Sequence, residues 1–317
     1  MPKVFFIGDF KKPYSTEVYI VHGLKENGVE VIEWQEDTPV ALHNLINYVV
    51  DSKPDFVLVA KNRLYTNGKL FIDKMREKGI KTVSWLFDLY HDLPQEMGST
   101  RSMKDSPFSC DYIFTSDGSL KRILPNKDII TLRQGIHEPE ATIFENNFKF
   151  DVCFIGSDTY FLRRKLINEL KETYKERFCH FGVGGMKNEV RGLDLNNILS
   201  TCKVVVGDSV PYDEYWSNRI YEILGRGGFL LHPKVKGLKE EFEYYKHFVP
   251  FDYGNFEQIK QITDYYITHD EEREKIKLAG HKFCKENYTY TKRCQTLLQK
   301  VIGKNEPDSI RTVYMLF

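Results

Sequence analysis

Short apolar runs that end in glycine or a carboxylate alternate with longer amphipathic segments along this chain. VFFIGDF (Val4–Phe10) is a buried-strand pattern. TEVYIVHGLKENG then repeats its apolar positions three and four residues apart, as a helix requires, and stops at Gly28. VEVIEW predicts a strand, ALHNLINYVVDSK a helix and PDFVLVA a strand. KLFIDKMREKG predicts a helix, and IKTVSWLFD, CDYIFTSD and DIITLRQG three more strands. Strands separated by helices of this length imply parallel pairing.

VCFIGSD (Val152–Asp158) repeats the V-x-F-I-G of the first strand, and it too opens a β-α-β run. LRRKLINELKETY predicts a helix, and FCHFGVGG a strand followed by a turn. LNNILSTCKVVVGDS predicts a helix and then a strand. Three late helices are expected in FEQIKQITDYYITH, DEEREKIKLAGHKFCKEN and YTKRCQTLLQKVIG. Between the halves, HEPEATIFENNFKF (137–150) is polar and aperiodic, as an inter-domain connection would be. The expected organisation is a first Rossmann-like domain at 1–140, a second at 150–302, and a tail at 303–317 that packs back on the first. Their parallel sheets are expected to face each other across a cleft.

At 317 residues, two domains are the default. Lys plus Arg and Asp plus Glu each total 45, so the formal net charge is zero, which argues against a dedicated nucleic-acid binder. The longest apolar runs are too short to span a bilayer, and MPKVFFIGDF has the pattern of a strand, not of a signal peptide. The six cysteines lack C-x-x-C spacing, so free thiols in a reducing cytoplasm are expected. IGDFKK and IGSDTY lack the G-x-G-x-x-G turn of a dinucleotide site, and FGVGGMK, with Gly184, has the wrong spacing and suits a tight turn. With no P-loop, D-x-D pair or metal-ligand spacing, neither a cofactor nor a metal is expected.

DEYWSNRIYEILGRGGFLLHP (Asp213–Pro233) carries the most chemistry. Ser217 is the expected N-cap, which places Asn218 and Arg219 in the first helical turn. A helix N-terminus offers unpaired N–H groups and a positive dipole end to an anion such as a diphosphate. Arg219 adds a fixed cationic fork, and Glu222 lies one turn deeper on the face of Asn218. Gly227 and Gly228 end the helix, and FLLHP leaves as a buried strand. An ordinary solvated helix explains Ile220, Ile223 and the glycines, but gives the clustered Glu214, Asn218, Arg219 and Glu222 no task.

SNRIYEILGRGGFLLHPKVKGLKEEFE, followed by ITHDEEREKIKLAGHKFCKENYTYTKRCQTLL, resembles the C-terminal donor-binding domain of GT-B-fold glycosyltransferases. The spore-maturation-type, group 1 enzymes are the nearest group. The likeness covers 151–302 in sequence pattern. It covers the first half only in architecture, apart from RQGI (Arg133–Ile136), which is similar to a hinge-proximal loop. The resemblance implies a nucleotide-sugar donor, UDP-linked, in the second domain and an acceptor in the first. It implies that Glu222 binds the ribose hydroxyls. Glu214 stands seven residues before it with the E-x7-E spacing of retaining members, where the first Glu engages the donor sugar. The larger retaining group places an Arg and a Lys directly after the first strand of the second domain. Here Arg163 and Arg164 are expected well inside the next helix.

The donor-side candidates are therefore Glu222, Arg219, Asn218, Ser217, Gly156, Ser157, Arg163, Arg164 and Gly184. WLFDLYHDLP places Asp88 at the end of a strand, with His91 and Asp92 just beyond. In an inverting transferase one of these would be the general base, although loop-starting Asp residues more often cap helices. Asp9, Tyr14, Asp92 and Gln134 are acceptor-side candidates. The expected activity is metal-independent transfer of a sugar from a nucleotide-sugar to an acceptor hydroxyl with retention, catalysed by Glu214 with Asp88 and His91. The acceptor is left open among a glycan, a small molecule, a protein and modified DNA, including a hydroxymethylated pyrimidine base. A nucleotide-sugar epimerase and a non-catalytic nucleotide-sugar-binding module are the competing readings.

Overall fold

A computed structural model describes residues 1–60, 68–89, 106–159, 161–187 and 189–303. In chain order its strands and helices are β1 (Lys3–Gly8), α1 (Thr16–Glu26), β2 (Glu30–Gln35), α2 (Leu42–Ser52), β3 (Phe56–Ala60), α3 (Gly68–Glu77), β4 (Lys81–Leu86), β5 (Tyr112–Thr115), α4 (Leu120–Ile123) and β6 (Ile129–Thr131). They continue with β7 (Phe150–Ile155), α5 (Phe161–Tyr174), β8 (Phe178–Phe181), α6 (Leu193–Ser200), β9 (Cys202–Val206), α7 (Arg219–Gly225), β10 (Leu230–Pro233), β11 (Val249–Phe251), α8 (Phe256–Thr268), α9 (Asp270–Asn287) and α10 (Tyr290–Val301).

Two sheets result, one of six strands in the order β2-β1-β3-β4-β5-β6 and one of five in the order β11-β10-β9-β7-β8. The pairs β1–β2, β1–β3 and β3–β4 are parallel, as are β7–β8, β7–β9, β9–β10 and β10–β11. These are two parallel-sheet α/β layers, as the alternating pattern of the sequence predicts. The repeated V-x-F-I-G motif supplies β1 and β7. Its Val4, Phe5 and Phe6, and its Val152 and Phe154, are completely buried, because each of these strands has neighbours on both sides and helices on both faces.

The chain forms two compact units. One gathers the described residues of Met1–Trp85, Lys104–Ile113 and Thr291–Phe317, and the other those of Leu86–Met103 and Phe114–Tyr290. In the first unit, Phe5, Ile7, Val57 and Val59 pack with Phe71, Ile72 and Met75 of α3. α10 belongs to this unit: Cys294 Sγ lies 3.5 Å from the Ile20 carbonyl, and Lys81 Nζ donates to the Val301 carbonyl at 2.6 Å. In the second unit the five-stranded sheet buries one face against α6 and α7 and the other against α5 and α8. The tail from residue 304 lies outside the described residues. No helix among the described residues is long and apolar enough to cross a membrane.

Candidate active site

The chemistry of the second unit collects at the C-terminal ends of β7 and β9. β7 runs into Gly156 with φ +148°, and a Cβ there would lie 2.5 Å from Arg219 Nη2. Glycine is needed at this position so that the guanidinium can lie against the backbone. Arg219 pairs with Asp208, which follows β9, and stands 5.6 Å from the centre of the Phe154 ring. The other oxygen of Asp208 accepts from Arg163 Nε at 2.6 Å. Arg163 Nη1 donates to the Ser157 carbonyl at 3.0 Å. One carboxylate therefore bridges two arginines and leaves a net positive cluster.

Two expectations change here. α5 begins at Phe161, so Arg163 and Arg164 lie in its first turn and not well inside it. Arg163 reaches back into the cluster, whereas the exposed Arg164 donates to the Asp158 carbonyl at 3.3 Å. α7 begins at Arg219, one residue after Asn218, although Ser217 Oγ still accepts the Arg219 N–H at 3.3 Å. With only seven residues, this helix adds little field of its own, so the fixed charge comes from the arginines.

Glu222 is buried on α7. Its Oε2 accepts from Arg226 Nε at 3.1 Å and Nη2 at 2.7 Å. Arg226 also pairs with Glu140 and donates to Asn196 Oδ1 at 2.9 Å. Burial opposes the Arg226 charge, but the Glu222 and Glu140 carboxylates outweigh it and push its pKa up. Arg226 occupies Oε2 alone, and so fixes the direction of the carboxylate.

Glu214 stands in the loop before α7 with φ +59°, in the left-handed region. Its carboxylate pairs with Arg122 of α4. Gly184, with φ +87°, belongs to a tight turn: a Cβ there would strike Asp158, and Gly185 N donates to the Gly182 carbonyl at 2.8 Å. Gln134 is buried beside Arg133. β4 ends at Leu86 and not at Asp88, which is exposed two residues beyond; His91 and Asp92 lie outside the described residues. Asp9 and Tyr14 belong to the other unit, where Asp9 Oδ1 accepts from Lys11 N and Gln35 Nε2, both at 3.2 Å.

The sequence reading missed Asp208, Arg226, Arg122 and Glu241. Asp208 had a signal, since a carboxylate directly after the apolar run VVVG marks a strand's C-terminal edge. Arg122 and Glu241 meet their partners across about 100 residues of chain, which no local pattern encodes. The cysteines are free and buried, but against the expectation from spacing three of them meet: the sulfurs of Cys153, Cys179 and Cys202 lie within 4.8 Å of one another under α6.

Residues 163–299 match the family model described as glycosyl transferase-like. Solved structures share the fold over nearly the whole chain. Anabaena HepE in complex with UDP and glucose aligns at 11% identity with a TM-score of 0.65, covering 95% of this chain and 99% of its own. Sucrose-phosphate synthase from Thermosynechococcus elongatus aligns at 9% and 0.65, covering 95% and 98%. The chain has the GT-B fold, and its second half is similar in sequence to glycosyl transferases. A proposed UDP-N-acetylglucosamine 2-epimerase from Listeria monocytogenes has the same fold, at 12% identity and a TM-score of 0.60, covering 96% and 98%. No curated protein matches the chain in sequence. The matched segment begins at Arg163 and contains Asp208, Glu214, Arg219 and Glu222.

Proposed function

We propose that this protein is a glycosyltransferase that transfers a sugar from a UDP-linked donor to an acceptor hydroxyl without a metal ion and with retention of configuration. The observation that carries this reading is the Asp208-bridged pair of Arg163 and Arg219 at the ends of β7 and β9. Two planar guanidinium groups with fixed orientation suit a diphosphate, and supply the positive charge that a bound cation would otherwise give to the leaving group. Glu222, aimed by Arg226, takes the ribose hydroxyls, and Glu214 engages the donor sugar. The glycosidic C–O bond to the diphosphate breaks, a C–O bond to the acceptor oxygen forms on the same face, and the acceptor proton passes to the departing diphosphate. HepE, captured with UDP and with glucose, supports the donor class by likeness of fold.

Titration calorimetry with UDP and uridine tests the site. Arg219→Ala should weaken UDP at least 10-fold and uridine little, because it removes charge-assisted bonds worth about 1.5–3 kcal/mol. Glu222→Ala should weaken both ligands alike. UDP binding like wild type in both variants would place the donor elsewhere. The epimerase reading is favoured by the Listeria neighbour, and incubation with the UDP-sugar alone separates the two. An epimerase interconverts the donor without an acceptor, whereas a transferase leaves it intact or slowly hydrolyses it.

A further inference from the structure

We propose that Arg133 is a positioning residue for Glu214, which rests on the reading of Glu214 as the group that engages the donor sugar. Glu214 holds φ +59°. A left-handed backbone is costly for a non-glycine residue, and a turn that needed only the shape would be better served by glycine. A glutamate kept there at that cost has a use for its side chain.

Three main-chain bonds impose the conformation. Glu214 N donates to the Lys236 carbonyl at 2.9 Å, and the Glu214 carbonyl accepts from Gly118 N at 3.0 Å and from Arg133 Nη2 at 2.9 Å. Arg133 is itself immobilised. Its guanidinium lies 3.6 Å from the centre of the Trp216 ring, and its Nη1 pairs with Glu241. The second Glu241 oxygen accepts from Tyr221 Oη at 2.8 Å, and Tyr221 Oη accepts from Trp216 Nε1 at 3.0 Å. The network thus closes on itself beneath the loop and, among the described residues, bonds Glu214 at its carbonyl. The carboxylate is 30% exposed and its partner Arg122 54%. The main chain is fixed while the head group can exchange its partner for a sugar hydroxyl.

Arg133→Lys keeps the charge and removes the fork. Gly118→Ala keeps every side chain of the network, but brings a Cβ to 3.0 Å from Glu214 Cβ, 3.1 Å from its Oε2 and 3.2 Å from Arg133 Nη2, and so crowds the contact between them. Both are compared with wild type and Glu214→Gln for UDP affinity by calorimetry and for UDP release from UDP-glucose, UDP-galactose and UDP-N-acetylglucosamine. The expected result is UDP affinity within about 2-fold of wild type, little change in KM, and kcat lower by roughly 10–100-fold in both variants, the effect of a misplaced group. Loss of UDP affinity in parallel with kcat would mark a merely structural role and overturn the proposal. Unchanged kcat in both variants alongside an inactive Glu214→Gln enzyme would overturn the positioning role and leave Glu214 in place. A fully active Glu214→Gln enzyme would remove both.

Discussion

His232, at the end of β10, shows how single residues near the site are held. Its Nδ1 donates to the Pro233 carbonyl at 2.8 Å, so the neutral ring carries its proton there and leaves Nε2 as an acceptor. Nε2 is buried with no hydrogen-bond partner among the described residues. Burial pushes the His232 pKa down to about 4; the Pro233 carbonyl and Asp208 oppose the shift, and Arg219 adds to it. The folded chain therefore keeps the ring neutral, while the unfolded chain protonates it below about pH 6.5. This contribution to stability is complete above pH 6.5, falls as the pH drops toward 4, and is absent below that. The slope is at most about 1.4 kcal/mol per pH unit. Urea unfolding between pH 4 and 7.5 should show a shallower acid decline for His232→Gln than for the wild type, and equal slopes would assign the decline to other groups. Legibility at this scale divides by range. Arg219 and Glu222 could be picked from the sequence because they share one short segment, whereas Arg226, in the same segment, was missed because its second partner, Glu140, comes from the polar connection before β7.

α7 answers why the chain turns so sharply after Arg226. Gly227 has φ +75°, and a Cβ there would stand 2.5 Å from Ile143 Cγ1. At Gly228 the obstacle would be Ile223 Cγ2 at 2.6 Å. The turn folds the chain back so that Leu230 pairs with Val205 of β9, and this returns His232 and Pro233 to the site's edge. Gly227→Ala should therefore lower the unfolding free energy by about 1–3 kcal/mol, from left-handed strain and overpacking together. Chemical denaturation measures it, and a loss below 0.5 kcal/mol would show that the turn relaxes. Most elements were legible because buried parallel strands are short apolar runs and their crossover helices keep a 3.6-residue period. The short α4, four residues without that period, was not. Arg163 was legible as a donor-side candidate, but its place in the first turn of α5, which allows it to reach Asp208, was misjudged.

At the scale of the whole molecule, the stereochemical outcome decides which groups do the chemistry. If the second unit acts as proposed, Glu214 steers the donor sugar while the diphosphate, held by Arg163 and Arg219, accepts the acceptor proton. Glu214→Gln should then bind UDP nearly normally and lose most turnover, because the missing contact matters chiefly in the transition state. Asp88→Asn should act through acceptor affinity alone. The anomeric proton of the product, followed by NMR before mutarotation, should report retention, and the rate should survive excess EDTA because guanidinium groups stabilise the leaving diphosphate. An inverting enzyme reverses the order: a base among Asp88, His91 and Asp92 becomes indispensable and Glu214→Gln is mild. An inverted anomer together with a fully active Glu214→Gln enzyme would make the E-x7-E spacing a coincidence. The left-handed backbone at Glu214 would then serve the loop and not the sugar.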